Sequence, residues 1–326
     1  MTRLNRILSV VLVGQIIIAA LVFLPRTLRS ETEGDRSLFE GVEASRIVAL
    51  TITDGEGASI RMAKRDGAWV LPEADDYPLL ADKVTPVLDK LAALKADRVV
   101  TETASSHKRL RVAEDDFERL VSYEMEDGAV HEFYLGSSPS YGATHIRAKG
   151  DDRVVLTGAL TAYDLTVDTT AWADRAYLTI PKGDVVGLTV QNTHGVLEFK
   201  RDGEAWGLVD LAEGEEFDEV KFQTLLSRAV SVSMVAPLGK TEKADYGLAD
   251  PGAVVTLAAE SEGGDVRTYT LSVGAQMAEG QGYVVKSSES AYYVRVADYA
   301  AEEFLEASRE GFLVQPTPTP EATPSE

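Results

Sequence analysis

The 326-residue chain contains no cysteine. That single absence excludes disulfides, thiolate zinc sites, cysteine-ligated iron–sulfur clusters and cysteine nucleophiles. It does not fix a compartment, because many exported proteins also lack disulfides. Positive charge is scarce as well: 32 Lys and Arg stand against 53 Asp and Glu, a net charge of −21. A surface of that sign repels phosphate backbones, so no nucleic-acid partner is expected. The four histidines, His107, His131, His145 and His194, are scattered. None falls in an H-x-x-x-H or H-E-x-x-H spacing that would set two imidazoles on one helix face. A G-x-S-x-G elbow, a G-x-x-x-x-G-K-[ST] loop and a G-x-G-x-x-G turn after a strand are all missing. The sequence therefore names no catalytic residue, no metal ligand and no cofactor, and the expectation is a protein that is not an enzyme.

One hydrophobic run stands out. Residues 7–24, ILSVVLVGQIIIAALVFL, carry no charge and only Ser9 and Gln15 as polar interruptions. At about 1.5 Å per residue, 18 residues span roughly 27 Å, enough for one transmembrane helix. Arg3 and Arg6 precede it, and Glu31, Glu33 and Asp35 follow soon after. The positive-inside bias places the N-terminus (residues 1–6) in the cytoplasm and the bulk of the chain outside it, in a cell membrane crossed once. A cleaved signal peptide is the competing reading, but the run exceeds the usual h-region of about 7 to 15 residues and no small-x-small site follows it. Residues 25–46 are polar, acidic and unpatterned, and read as a spacer from the bilayer. Residues 315–326, QPTPTPEATPSE, carry proline at alternate positions and read as a solvated, disordered tail.

Between these ends the sequence repeats itself. Residues 47–52 read IVALTI and residues 185–190 read VVGLTV, 138 positions apart, and both alternate as half-buried strands do. Each is followed by a hairpin whose far side carries Lys-Arg-Asp-Gly, at Lys64 to Gly67 and Lys200 to Gly203, before Trp69 and Trp206. Val84, Val87, Leu88 and Leu91 then match Phe222, Leu225, Leu226 and Ala229, the i, i+3, i+4, i+7 pattern of one helix face. Pro86 is compatible with such a helix if Thr85 caps it, and Asp218 is the natural cap of the second. The same offset pairs Leu110 with Leu248, Gly136 with Gly274, Ile146 with Val284, His145 with Tyr283 and Val154-Val155 with Tyr292-Tyr293. The expectation is an α+β protein: two tandem copies of a hairpin, a helix and an antiparallel sheet, over residues 47–181 and 182–314, after one transmembrane helix.

Candidate chemistry is sparse. His194 lies in Gln191-Asn-Thr-His-Gly195, a hairpin tip by composition, and His131 in an alternating strand. The doublets Asp75-Asp76, Asp115-Asp116 and Asp151-Asp152 offer carboxylates for acid/base work or weak cation binding. Neighbours in sequence point apart, however, and none extends into a D-x-D-x-D-G loop, so they read as solvated surface. Trp69, Trp206, Tyr283, Tyr292 and Tyr293 suggest a carbohydrate-stacking face, but their equivalent places in the two copies favour core and cross-strand packing.

The apolar N-terminal run, the I-x-x-L-x-I strand, the Lys-Arg-Asp-Gly turn before Trp, the amphipathic helix, Tyr246-Gly-Leu-x-x-Pro251 and the L-x-V-G strand ending at Gly274 together resemble the domain-of-unknown-function 4340 family, over residues 47–314. In the first copy Lys108-Arg109-Leu110-Arg111-Val112-Ala113 stands in place of the Tyr-Gly-Leu-x-x-Pro element. The resemblance implies a membrane-anchored, extracytoplasmic bacterial protein, of a kind often encoded beside ABC-transporter components of the gliding-motility auxiliary type. It implies no agreed activity, catalytic residue or cofactor. The function expected is a non-catalytic binding or scaffolding accessory of an envelope complex such as an ABC-type transporter, with the lipid bilayer and envelope proteins as partners. The alternatives are an envelope-polymer hydrolase with paired carboxylates between the two repeats, and a structural spacer.

Overall fold

The computed structural model describes residue 15 and residues 37–96, 98–278 and 280–314. They fall into two compact units. Unit 1 takes the described part of Met1–Val70 together with Leu79–Trp172, and unit 2 takes Leu71–Pro78 and the described part of Ala173–Glu326.

Unit 1 is built on β1 (Ile47–Asp54), β2 (Ser59–Arg65), β3 (Ala68–Leu71), β5 (Arg98–Thr101), β8 (Arg119–Met125), β9 (Val130–Leu135), β10 (Thr144–Ala148) and β11 (Val154–Thr157). These run side by side in the antiparallel order β3-β2-β1-β8-β9-β10-β11-β5. Two short strands, β6 (Val112–Ala113) and β7 (Asp116–Phe117), pair with each other, and β4 (Tyr77–Pro78) lies within the Leu71–Pro78 segment. The strands alternate because one face is covered: Leu50, Ile52, Met62, Tyr123, Phe133 and Leu135 are buried under Val84, Val87, Leu88 and Leu91 of α1 (Ala81–Ala92). Each such side chain contributes about 1.5 to 3 kcal/mol when fully removed from water. The Asp66-Gly67 turn between β2 and β3 has both residues left-handed (φ 49° and 84°), the geometry that favours Asp-Gly in two-residue hairpins.

Unit 2 repeats the order with β15-β14-β13-β18-β19-β20-β21-β17, where β13 is Val185–Asn192, β14 Gly195–Asp202, β15 Ala205–Leu208, β17 Ala236–Gly239, β18 Ala253–Glu260, β19 Val266–Gln276, β20 Tyr283–Ser287 and β21 Tyr293–Val296. Phe222, Leu225, Leu226 and Ala229 of α3 (Glu219–Val230) cover it, with the Phe222 ring 4.7 Å from both Phe199 and Trp206. Asp218 caps α3 through its carboxylate, which accepts from Lys221 N at 3.1 Å. A small sheet of β12 (Ala176–Thr179) and β16 (Ser231–Ser233), and α4 (Asp298–Leu305), complete the unit. Asn192 Nδ2 donates to the carbonyls of Phe304 and Ala307 at 2.8 Å each, closing the C-terminal end of α4. The Leu71–Pro78 segment docks here: the Asp75 carboxylate accepts from Lys240 N at 2.6 Å and Thr241 N at 3.3 Å, and the Tyr77 ring packs edge-on against Tyr292 at 4.7 Å.

Several expectations are corrected. The α+β class does not hold: the described residues form twenty-one strands against four α-helices, counting α2 (His107–Leu110), and the protein is mostly antiparallel β-sheet. The amphipathic segments are real helices, but each is a short cover on one sheet face, and far more of the described residues lie in strands than in helices. No described helix is long and apolar enough to cross a membrane. The expected transmembrane helix at residues 7–24 lies, apart from Gln15, outside the described residues, as does the tail at 315–326. Of the expected spacer at residues 25–46, residues 37–46 belong to unit 1: Leu38 N donates to Leu94 O, and the Phe39 ring packs on His131, Tyr123 and Phe133. Helix α1 begins at Ala81 behind Leu80 rather than at a Thr85 cap, so Pro86 lies inside it.

The single offset of 138 also fails in places. Gly136 and Gly274 are equivalent, because a Cβ on either would sit 2.2 Å from Leu110 O or 2.1 Å from Tyr246 O. That geometry pairs Leu110 with Tyr246, left-handed Arg111 (φ 56°) with Gly247 (φ 66°), and Val112 with Leu248. Further along, Leu135 faces Ile146 and Ile146 faces Val155, as Val273 faces Val285 and Val285 faces Val294. His145 therefore corresponds to Val284, not Tyr283, and Val155 to Val294.

Candidate functional site

A concavity that collects charged and aromatic groups lies in unit 1, a groove of about 580 Å³ between α1 and the loop that leads to Trp172. One wall is the outward face of α1, with Asp82, Lys83, Pro86 and Lys90. The other is held by three buried anchors, Leu160, Leu165 and Trp172, in an otherwise polar stretch. Local hydrogen bonds shape it. The Asp164 carboxylate accepts from Thr161 N (2.9 Å) and Thr161 Oγ1 (2.8 Å), and Asp168 does the same for Thr170 N (2.9 Å) and Oγ1 (2.8 Å). Trp172 Nε1 donates to Thr166 O at 3.1 Å, and Arg119 Nε to Leu165 O at 2.7 Å.

Part of the charge in the groove is paired internally, Lys83 with Asp82 and Lys90 with Asp164. Lys90 Nζ reaches Asp164 Oδ1 at 2.6 Å. Burial pushes the Asp164 carboxyl up, but the hydrogen bonds from Lys90 and Thr161 outweigh it and hold the group below its ordinary range. Asp164 is thus a fixed carboxylate, not a proton donor. At the rim the Tyr163 side chain is almost fully exposed (92%) on a loop whose backbone is anchored on both sides. The groove therefore sets an exposed aromatic beside a fixed ion pair.

The other candidates are structural in their surroundings. Ser137 and His145 form a Ser–His contact, Oγ to Nδ1 at 3.2 Å. Nδ1 also lies 2.7 Å from the Ser137 carbonyl oxygen, an acceptor, so Nδ1 carries the proton and has no lone pair with which to activate Oγ. Burial pushes the His145 pKa down, which keeps that ring neutral. His107 Nε2 binds Asp152 O at 2.9 Å, His131 lies between Phe39 and Tyr123, and His194 is exposed at the hairpin tip. Asp75 docks the Leu71–Pro78 segment, Asp115 pairs with Lys108 at 2.6 Å, Asp116 with Arg111 at 3.4 Å, and Asp151 Oδ1 accepts from Arg153 N at 2.9 Å. Among the described residues no three His, Asp or Glu side chains come together to hold a metal ion. Trp69 is buried, Trp206 stacks on Phe222, Tyr292 on Tyr77 and Tyr293 on Tyr246, so these aromatics serve packing.

Of the groove residues the sequence singled out only Pro86 and Val87, and those as parts of a helix rather than of a site. The signals were local: Thr161-x-x-Asp164 and Asp168-x-Thr170 are side-chain-to-backbone turn motifs, and three large apolar residues interrupt the polar stretch they define.

Fold and groove together define a protein of two large antiparallel β units with one strand order, one of them carrying a mixed-charge groove. A family model described as "Domain of unknown function (DUF4340)" matches residues 69–249, from Trp69 of β3 to just past Tyr246-Gly247-Leu248. The match takes in more than half of the chain, and the protein belongs to that family; it is narrower than the 47–314 of the sequence resemblance. No curated protein and no solved structure matches the chain.

Proposed function

We propose that this protein is a non-catalytic binding or scaffolding accessory of an envelope complex such as an ABC-type transporter, held to the bilayer through residues 7–24 with its β units on the extracytoplasmic side. The observation that carries the reading is the unit 1 groove, where Tyr163 is presented to solvent between apolar walls while Lys90 and Asp164 neutralise each other. A partner segment entering it meets exposed aromatic surface beside an internally paired lysine and aspartate, an arrangement that favours protein contact. Among the described residues, the carboxylates that depart from their ordinary range, Asp75, Asp115, Asp127, Asp164 and Glu215, all move down. A general acid needs the opposite shift.

The test places a photo-crosslinking amino acid at position 163 of the full chain in its native membrane and identifies the adducts by mass spectrometry. Transporter or other envelope subunits crosslinked from position 163, but not from exposed position 141, support the reading. Equal, unselective labelling from both positions, or recovery of the protein from the soluble fraction, overturns it.

A further inference from the structure

Unit 2 holds a concavity of different chemistry. In a chain of net charge −21, Lys182 and Arg228 have no carboxylate partner among the described residues. Lys182 Nζ is held by Ser227 Oγ at 2.9 Å and Gln223 O at 3.4 Å, and the Arg228 guanidinium lies over the Tyr299 ring, 5.1 Å from its centre. Both line one open recess with the hydroxyls of Thr224, Ser227, Ser231 and Ser233, and no carboxylate lines it. Ser231 and Ser233 are both exposed because they flank buried Val232 on β16, where alternate residues share a face.

Next to the recess, between α4 and the sheet, a partly open slot of about 70 Å³ has Leu271, Val273, Val285, Val296 and Phe304 among its walls. Recess and slot share Arg228, Ser231 and Ser233, so they adjoin at these three residues. Arg228, Ser231, Ser233 and Tyr299 are the polar residues of the slot, and its remaining walls are apolar side chains able to contact a small apolar group. At about 30 Å³ per water-sized group it takes two or three carbons. On the far side of Tyr299, Glu302, Glu303 and Glu306 line a neighbouring groove that shares Thr224 and Tyr299 and repels any anion placed there.

We propose that the recess and slot form a binding site for an anionic amphiphile. Its phosphate or carboxylate head sits on Lys182, Arg228 and the serine hydroxyls, and the first carbons of its alkyl chain enter the slot. Charge-assisted hydrogen bonds fix the head, and the acidic groove beyond Tyr299 sets its direction. The inference stands on unit 2 alone and does not depend on what the unit 1 groove binds.

Calorimetric titration of the full chain, reconstituted in zwitterionic phosphatidylcholine nanodiscs, tests it with hexyl phosphate, inorganic phosphate and hexanol. Hexyl phosphate is expected to bind at least tenfold tighter than either half-molecule. K182Q and R228Q, both at exposed positions that leave the core untouched, each weaken it about ten- to hundredfold. A301L, which narrows the slot from α4, weakens hexyl phosphate but not inorganic phosphate, and its melting curve reports whether the fold is kept. Equal affinity for hexyl phosphate and inorganic phosphate, or affinity unchanged in K182Q/R228Q, overturns the proposal. Nanodiscs containing phosphatidylglycerol separate the sources: loss of hexyl phosphate binding in them makes the ligand a bilayer lipid, and unchanged binding makes it a free amphiphile.

Discussion

Gly274→Ala tests how tightly the Tyr246–Leu248 turn is fitted against β19. A Cβ at position 274 would lie 2.1 Å from Tyr246 O and 3.1 Å from Leu248 Cδ2 and Cγ. The nearest atom is backbone, so no rotamer change relieves the clash, and the turn must retreat by at least about 0.9 Å, the difference between 3.0 Å and 2.1 Å. Tyr246 is 1% exposed, and its hydroxyl donates to Leu238 O at 3.1 Å, so retreat disturbs a packed aromatic and strains that bond. Overpacking of this kind costs about 1 to 3 kcal/mol, and a weakened internal hydrogen bond adds about 1 kcal/mol, for an expected loss of about 2 to 4 kcal/mol. Urea unfolding of the full chain, followed by circular dichroism, measures it. Gly207→Ala is the control, since a Cβ there meets nothing within 4 Å, and it is expected to fall within about 0.5 kcal/mol of the parent. A Gly274→Ala variant as stable as Gly207→Ala would refute the close approach, and with it the alignment of Gly274 with Gly136.

Further outcomes follow from single contacts. The Arg309 guanidinium grips Glu215 through two nitrogens, Nη1 to Oε1 at 2.7 Å, and with Ala212 N it pulls the carboxyl down from 4.5 to about 2. Because the folded value is depressed, the stabilisation is whole above pH 4.5 and is lost as pH falls towards 2; the gap in urea midpoint between parent and Glu215→Gln should close over that window. Lys90 and Asp164 are 41% and 20% exposed, so a double-mutant cycle with Lys90→Met and Asp164→Asn should give a coupling of about 0.2 to 1 kcal/mol; a value above about 2 kcal/mol would show the groove drier than described. A fluorophosphonate probe should leave Ser137 unlabelled, since His145 Nδ1 is committed to the Ser137 carbonyl, and peptide mapping that finds the adduct would reopen acyl-transfer chemistry.

Much of the strand pattern was legible because alternation at Leu50 and Ile52, or Leu188 and Val190, records burial of one face directly. The helix faces were legible for the same reason, at Val84 and Leu88 and at Phe222 and Leu226. Class was not, because a helix covering one sheet face writes as strong a pattern as the sheet beneath it while contributing far fewer residues. Register was hidden by compensating length changes: Leu110 and Tyr246 stand 136 apart, Gly136 and Gly274 stand 138 apart, and Val155 and Val294 stand 139 apart. Arg111 escaped notice as the counterpart of Gly247 because its left-handed backbone carries no glycine; Glu118 and Asp116 hold its side chain instead. The groove was invisible because Lys90 and Asp164, 74 residues apart, carry no mutual signal in one sequence.

Because Leu71–Pro78 belongs to the second unit while its neighbours on both sides belong to the first, the polypeptide passes between the units three times: after Val70, after Pro78 and after Trp172. Translation order then matters. The ribosome delivers Asp75 165 residues before Lys240. At about 5 to 20 residues per second the segment waits roughly 8 to 30 s for the Lys240 amide, and longer for Tyr292. Throughout that interval Asp75 has no Lys240 amide to receive and Tyr77 no Tyr292 ring to meet. A gene cut at Trp172 prolongs the wait indefinitely, leaving eight residues in the released fragment with nothing to dock against, so no single cut of the chain yields the two units whole.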